Sequence, residues 1–489
     1  MRVTNNMAAT QSMNNIWRNS RHVNNIIQSI ETGKRIQRPS DNPLLSGRVL
    51  RFRTLISETE QFMRNAHTGM SWMEVSEAAF DNILTGRNSL VARINDAVLR
   101  AVDGVTNLAN VQSITDEIRE LFEQLKFVEM NQTYMGRFVF SGFHTDQSPV
   151  LSRDMLHDRI HGARTFVMQH QFDVRDIEAT QAFHRPTVNS PLDIIDIHII
   201  KLPFTNLDFD EATPADVPDL GIPGFEIVTV PIAYAHAYRP DDTTATGAYP
   251  VIHFIPETGE LVLSAAAREA WEDGTTITFQ RTGFYEGELN PMINFRSWDV
   301  TDEDNILSFD ASVHDFALEI ATNSHVIINS HARNILTPQM YADFQNLIRF
   351  INSMQPTDPQ AIRSYFQLNH PDKVDNLDHY VSLFISDEAG AFASLIYGRF
   401  NNMIELNMRH AAAAQAEHTA LGSRMARLEM LQNRLEDDVI AYMGLQSDAE
   451  DTDIPAAIML RNNAEVAMQN ALRAIAATSQ LSLADFINR

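Results

Sequence analysis

Apolar residues near the start of this chain recur at alternating steps of four and three, through Ala9, Met13, Ile16, Val23, Ile27 and Ile30, with polar Ser20 in the same register. Those steps average 3.5 residues, so the set forms one stripe along a helix and calls for a partner helix over its length. The other end repeats the pattern. Leu421, Met425, Leu428, Leu435, Val439 and Tyr442 form one heptad stripe, with Gln432 as its polar member, and Ala457, Leu460, Ala464, Ala467, Ala471, Ala474, Thr478 and Leu481 form a second. Small residues dominate the last stripe. At roughly 25 cal/mol per Å² of apolar surface it gains little alone and needs a partner. The two terminal stripes match in length and are each too thin to be stable apart. They are predicted to pair with each other and to become ordered in an assembly, where binding offsets the ordering entropy.

Punctuation in the sequence sets the helix limits. The first helix is predicted to stop at Thr32-Gly33, and the next to open at Ser40-Asp41-Asn42-Pro43, where Asn42 caps free N–H groups and Pro43 suits a first turn. From there a stripe runs through Phe52, Leu55, Thr59, Phe62, Ala66, Gly69, Met73, Ser76, Phe80, Ile83, Leu90, Ile94 and Ala97, broken by charge at Arg87. A turn at Asp103-Gly104 precedes a further amphipathic segment, Ile114, Ile118, Leu121, Leu125 and Val128.

The middle reads as strand. Phe138 to Gly142 is predicted as a short strand, followed by the β-branched run around Ile194 to Ile199, then 225–230 and 251–255. Pro256-Glu257-Thr258-Gly259 is a hairpin turn into Leu261-Val262-Leu263, and 275–279, 317–320 and 326–329 complete the β-rich module. Helix resumes at Thr337-Pro338. The expected fold is mainly α with an inserted β domain, the N- and C-terminal helices pairing in a coiled-coil rod. Its expected divisions are a terminal helix segment 1–42 pairing with 452–489, rod parts 43–140 and 336–451, and a variable β-rich domain 141–335.

Composition removes whole classes of chemistry. Lys and Arg total 38 against 63 Asp and Glu, a formal charge of −25, and no basic run with interleaved aromatics offsets it, which argues against nucleic acid. No cysteine occurs, so there is no disulfide, thiolate metal site or cysteine nucleophile. Residues 1–25 lack the apolar core of a secretory signal, and no apolar run of about 18 residues predicts a membrane span. Asp154, His157, Asp158 and His161 would share a helical face, but without an HExxH core a solvated cluster is the better reading. Asp302 to Asn305 lacks the glycine and terminal Glu of a calcium loop, and His314, His325 and His331 have no nucleophile in a GxSxG elbow. Phosphate-cradling glycine motifs are absent. No catalytic, cofactor-binding or metal-binding residue is assigned, and the chain is expected not to be an enzyme.

Two stretches are similar to a known family. Met1-Arg2-Val3-Thr4-Asn5-Asn6-Met7 and Ser29 to Pro43 closely resemble the N-terminal motif of hook-associated protein 3, in the flagellin-like family. Flagellin itself has an Asp-Asp-Ala-Ala type sequence where this chain has Ser40 to Pro43. Tyr134 to Gly142 looks like the family's exit from the rod, Leu421 to Glu436 its penultimate helix and Thr478 to Asn488 its last segment, while Gly287 to Pro291 and Thr337 to Tyr341 resemble a long-insert branch.

The resemblance implies a structural subunit at the hook–filament junction of the bacterial flagellum, exported unfolded with no cleavable signal peptide. The implied partners are further copies of itself in a ring, hook-associated protein 1, flagellin and a cytoplasmic export chaperone. Met13, Ile16, Val23, Ile27, Ile30, Ala464, Ala467, Ala471 and Leu481 would carry the assembly contacts. The connector Gly33, Arg38, Pro39, Ser40, Asp41, Asn42 and Pro43 would fix how the terminal helix joins the rod. The alternatives are a filament flagellin, or a secreted adhesin or enzyme on a flagellin-like scaffold with its activity in 145–335.

Overall fold

The computed structural model describes residues 5–40, 42–104, 108–152, 164–184, 193–210, 213–231, 249–302, 304–310, 315–354, 358–369 and 376–487. Four helices come first: α1 (Asn5–Thr32), α2 (Pro43–Leu84), α3 (Leu90–Asp103) and α4 (Leu108–Gln124). The middle carries strands β1 (Thr133–Tyr134), β2 (Arg137–Phe138), β3 (Thr165–Phe172), β4 (Glu178–His184), β5 (Asp193–Lys201), β6 (Glu226–Thr229), β7 (Val251–Ile255) and β8 (Glu260–Leu263). Helix α5 (Ala265–Ala270), β9 (Thr275–Thr282), α6 (Pro291–Asn294), β10 (Arg296–Asp299), β11 (Leu307–Asp310), β12 (Ala317–Ala321) and β13 (Ser324–Ile327) follow. The chain closes with α7 (Ala332–Ile335), α8 (Pro338–Ser353), α9 (Pro359–Asn369), the 74-residue α10 (Leu377–Glu450) and α11 (Ile454–Ile487). The chain is mainly helical, with a β-rich middle, as its periodicity predicts.

Two compact units divide the chain: Met1–His67, Glu319–Ser324 and Glu429–Arg489 in the first, Thr68–Leu318 and His325–Leu428 in the second. In the first, α1 packs along α11. Their connected ends are joined by an antiparallel bridge between Lys34 and Asp451, so the helices run in opposite directions. Val23, Ile26, Val49, Ile56, Leu435, Val439 and Ala457 supply buried apolar surface. Among the described side chains of α1 only Val23 and Ile26 are buried, in keeping with its thin stripe.

In the second unit, the predicted stripe is buried at Met73, Ser76, Phe80, Ile83, Leu90, Ile94 and Ala97. It is carried by two helices. Gly86, at φ +88°, sits in the break after α2, and Ser89 accepts from Ala92 N at 3.3 Å to cap α3. Phe122 of α4 stacks on Phe344 of α8 at 4.7 Å between ring centres. The segment after α4 departs from the expected register. Leu125–Glu129 is a π-helical turn, which adds a residue to the turn and swings Val128 out to solvent while Leu125, Lys126 and Glu129 turn inward.

The β region holds a four-stranded antiparallel sheet in the order β11-β10-β3-β9 and a five-stranded sheet in the order β4-β5-β8-β7-β6, where only β6 and β7 are parallel. Phe166, Phe204, Phe279, Phe284 and Phe295 fill a buried aromatic core. Arg281 enters it over the Phe204 ring at 5.2 Å and is charge-paired with Glu288 at 2.9 Å. The expected turn at Pro256 to Gly259 does connect β7 to β8. The expected strand at 138–142 is shorter. It contributes only Phe138 to a two-residue pairing with β1, and Ser141 makes a lone bridge to His331. Strands β1, β3, β4, β10 and β11 have no counterpart in the sequence reading.

Candidate functional site

The connector 33–42 turns the chain from α1 into α2. Gly33 has φ +69°, the left-handed conformation that ends a helix at little cost only for glycine. Its carbonyl accepts from Thr452 N at 2.8 Å, and Arg35 N donates to Glu450 O at 2.7 Å, so the connector and the α10–α11 turn are stitched through their backbones. Asn42 caps α2, accepting from Leu45 N at 3.2 Å, and Pro43 is its first residue, as expected. Arg38, Pro39 and Ser40 are exposed; Asp41 lies outside the described residues.

Glu450 organises this clasp. Its buried side chain pairs with Lys34 and Arg53 and accepts from Gln446 at 2.8 Å. Burial alone would raise its pKa, but the hydrogen bonds from Gln446 and Lys34 and the charges of Arg53 and Lys34 outweigh it and hold the carboxyl below its ordinary value. Arg35 reaches Ala449 O at 3.3 Å, and Gln37 bonds Thr32 and, at 3.0 Å, Lys34 O. Lys34, Arg35, Arg53, Gln446 and Glu450 were not singled out in the sequence. Their only signal is a Lys-Arg pair after one helix and a Glu-Asp pair after another, and nothing local says that residues 416 positions apart meet.

Among the proposed assembly residues, Val23 is buried, Ile16, Ile27 and Ile30 are half-buried, and Met13 is 52% exposed. On α11, Ala464 and Ala471 are half-buried and Ala467 is exposed; Leu481 falls on the helix, its side chain outside what is described. The inward row is Ala457, Arg461, Ala464, Met468 and Ala471. Leu460, expected on that row, faces outward instead. Both rows share residues 457, 464 and 471, so alanine spacing alone could not decide between them. Trp17, Met459, Leu460 and Val466 are each more than half exposed, which leaves apolar surface on both helices of the pair.

Asp154, His157, Asp158, His161, Glu303 and His314 lie outside the described residues. His331 pairs with Asp315 at 2.9 Å, and Asp302 accepts from Asp304 N in a turn. A polar cleft of about 850 Å³ in the second unit is lined by His170, Arg175, Arg296, Arg333 and Arg409 among others. Its charges are largely paired within the chain, Arg175 with Asp173 at 2.9 Å, Arg409 with Asp176 and Arg296 with Asp310, both at 3.9 Å. No helix among the described residues is long and apolar enough to cross a membrane.

Long helices near both ends of the chain, with β sheets formed by the sequence between them, define a mainly helical protein with a β-rich insert. Residues 3–145 match the family described as the bacterial flagellin N-terminal helical region, so the chain is flagellin-like through that region. The phase 1 flagellin of Salmonella naestved and the flagellin of Salmonella dublin are each 24% identical over 139 residues, 28% of this chain. The chain spans 27% of the length of these relatives. Among solved structures, FlgL of Xanthomonas campestris aligns at 10% identity with a TM-score of 0.31, covering 81% of this chain and 99% of that one. The flagellar junction protein FlgL of Legionella pneumophila aligns at 11% with a TM-score of 0.29, covering 83% and 100%.

Proposed function

We propose that this chain is a structural, non-catalytic subunit of the bacterial flagellum that sits at the hook–filament junction. It would form a ring of identical copies between hook-associated protein 1 and flagellin, after export under a cytoplasmic chaperone. One observation carries this reading: the antiparallel α1–α11 pair is closed at one end by the Lys34–Asp451 bridge, yet leaves Met13, Trp17, Leu460 and Val466 exposed. Exposed apolar side chains along a slender helix pair favour burial against further copies or kin. The flagellin-type N-terminal region supports the same family of assembly. The Ser40 to Pro43 connector, where flagellin has a different motif, favours the junction over the filament.

A filament flagellin is the second reading, favoured by the curated relatives, which are flagellins. Deleting the gene separates the two. Under the junction reading, electron microscopy finds intact hooks without filaments and flagellin accumulates in the medium. Normal filaments after deletion would sink it, and loss of the filament protein itself would favour the second reading.

A further inference from the structure

Glu77, Asp81 and His418 come together in the second unit, from α2 and α10, although 337 or more positions separate the histidine from the two acids. Glu77 and Asp81 are four residues apart and therefore project from one face of α2, where two like charges disfavour each other. His418 Nε2 lies 3.0 Å from Glu77 Oε1, and its ring stacks on Phe80 at 5.2 Å and 13°, which fixes the imidazole plane. One ligand atom from each of the three residues lies within 4.8 Å of the others. The His418 hydrogen bond satisfies only one oxygen of Glu77. Oε2 is buried with no hydrogen-bond partner among the described residues, an arrangement that folded proteins ordinarily avoid.

We propose that Glu77, Asp81 and His418 bind a divalent first-row transition ion, with zinc the best fit. Such an ion supplies the partner that Glu77 Oε2 lacks and cancels the repulsion between the two carboxylates. The donor set decides the class of ion. One imidazole and two carboxylates with no thiolate suit Zn²⁺, Co²⁺ or Mn²⁺, whereas all-oxygen sites suit Ca²⁺ or Mg²⁺. Three protein ligands leave a position for water. Asp81 is the exposed member of the set. The ion would clamp α2 to α10 in this unit.

The test uses the full chain, stripped of metal with EDTA and titrated with Co²⁺ by visible absorption, then with Zn²⁺ as competitor. The expected result is one saturable equivalent with ligand-field bands, displaced by Zn²⁺ and accompanied by a higher melting temperature. Asp81→Asn, an exposed change that leaves the packing intact, and His418→Ala each weaken that equivalent by about tenfold or more, at least the loss seen for outer-shell partners. His157→Ala with His161→Ala leaves it unchanged. Absence of a saturable equivalent, or equal affinity in wild type, Asp81→Asn and His418→Ala, would overturn the proposal.

Discussion

His410 Nε2 lies 2.9 Å from Asp343 Oδ2, and both residues are buried. Lys201 Nζ approaches the other carboxylate oxygen at 3.3 Å and also pairs with Glu178. Burial alone would raise the Asp343 pKa; the Lys201 charge and the His410 hydrogen bond outweigh it and hold the carboxyl ionised below its ordinary range. Asp343→Leu should therefore leave buried Lys201 with Glu178 as its remaining counter-charge and His410 without its acceptor, and cost about 1–3 kcal/mol in urea unfolding. Adding Lys201→Met should recover part of that loss. Because the folded-state pKa of Asp343 is depressed, its contribution is present above about pH 4 and disappears as pH falls through the lower folded value. A single mutant as stable as wild type would show that Asp343 is not the counter-charge of Lys201.

His170 gives the opposite kind of group, a base kept neutral. Burial, assisted by the Arg333 charge and opposed by Asp173, lowers its pKa to about 4, against about 6.5 in an unfolded chain. Between those values the unfolded state binds the extra proton, so stability is full above about pH 6.5 and falls as pH drops towards 4. Discounted for its position on a cleft wall, the loss should be about 1–3 kcal/mol. Melting temperatures at pH 7.5 and pH 4.5 should converge in His170→Gln relative to wild type; an unchanged pH difference would exclude His170 as a source.

Two glycines with similar backbones make a matched pair of tests. Gly259 has φ +72°, and a Cβ there would lie 2.2 Å from Phe204 O, whereas Gly274 has φ +78° with open space around it. Gly274→Ala should cost only the left-handed penalty of about 1–2 kcal/mol. Gly259→Ala must also displace backbone in the β7–β8 turn, so it should cost more than 3 kcal/mol, with overpacking adding to the same penalty. Similar losses at both sites would mean that the turn can yield.

The connector predicts an effect on assembly more than on the sheets. Gly33→Ala should cost about 1–2 kcal/mol at its positive φ. Glu450→Gln leaves Lys34 and Arg53 without a full counter-charge, and limited proteolysis near residues 33 and 452 should speed up in both variants. Proline at Ile27 or Ala467 costs a helix interior about 3 kcal/mol and should leave the β sheets folded while abolishing junction assembly. An assembled junction in either proline variant would remove α1 and α11 from the assembly surface.

Long-period patterns were legible in the sequence, and short-range exceptions were not. The stripe from Met73 to Ala97 is buried where expected because α2 and α3 each run over several turns, which averages out local noise. Val128 failed because one π turn shifts the phase and leaves no compositional mark. Strand β3, Thr165 to Phe172, carries no strand signal in the sequence, since Phe166, Val167 and Met168 follow one another without a two-residue alternation, and all three are buried. The connector glycine, Asn42 and Pro43 were readable since caps act within four residues. Glu450 was not, since its partners Lys34 and Arg53 come from the other end of the chain.

The bridge between Lys34 and Asp451 also bears on the order of folding. During synthesis α1 emerges early and has nothing to lie against until residues 454–487 exist. Joining positions more than 400 apart in an open chain costs about 4 kcal/mol more than closing a four-residue turn. Prior folding of residues 68–318 and 325–428 would shorten that effective loop, so the terminal pair is expected to close after the rest of the chain has folded.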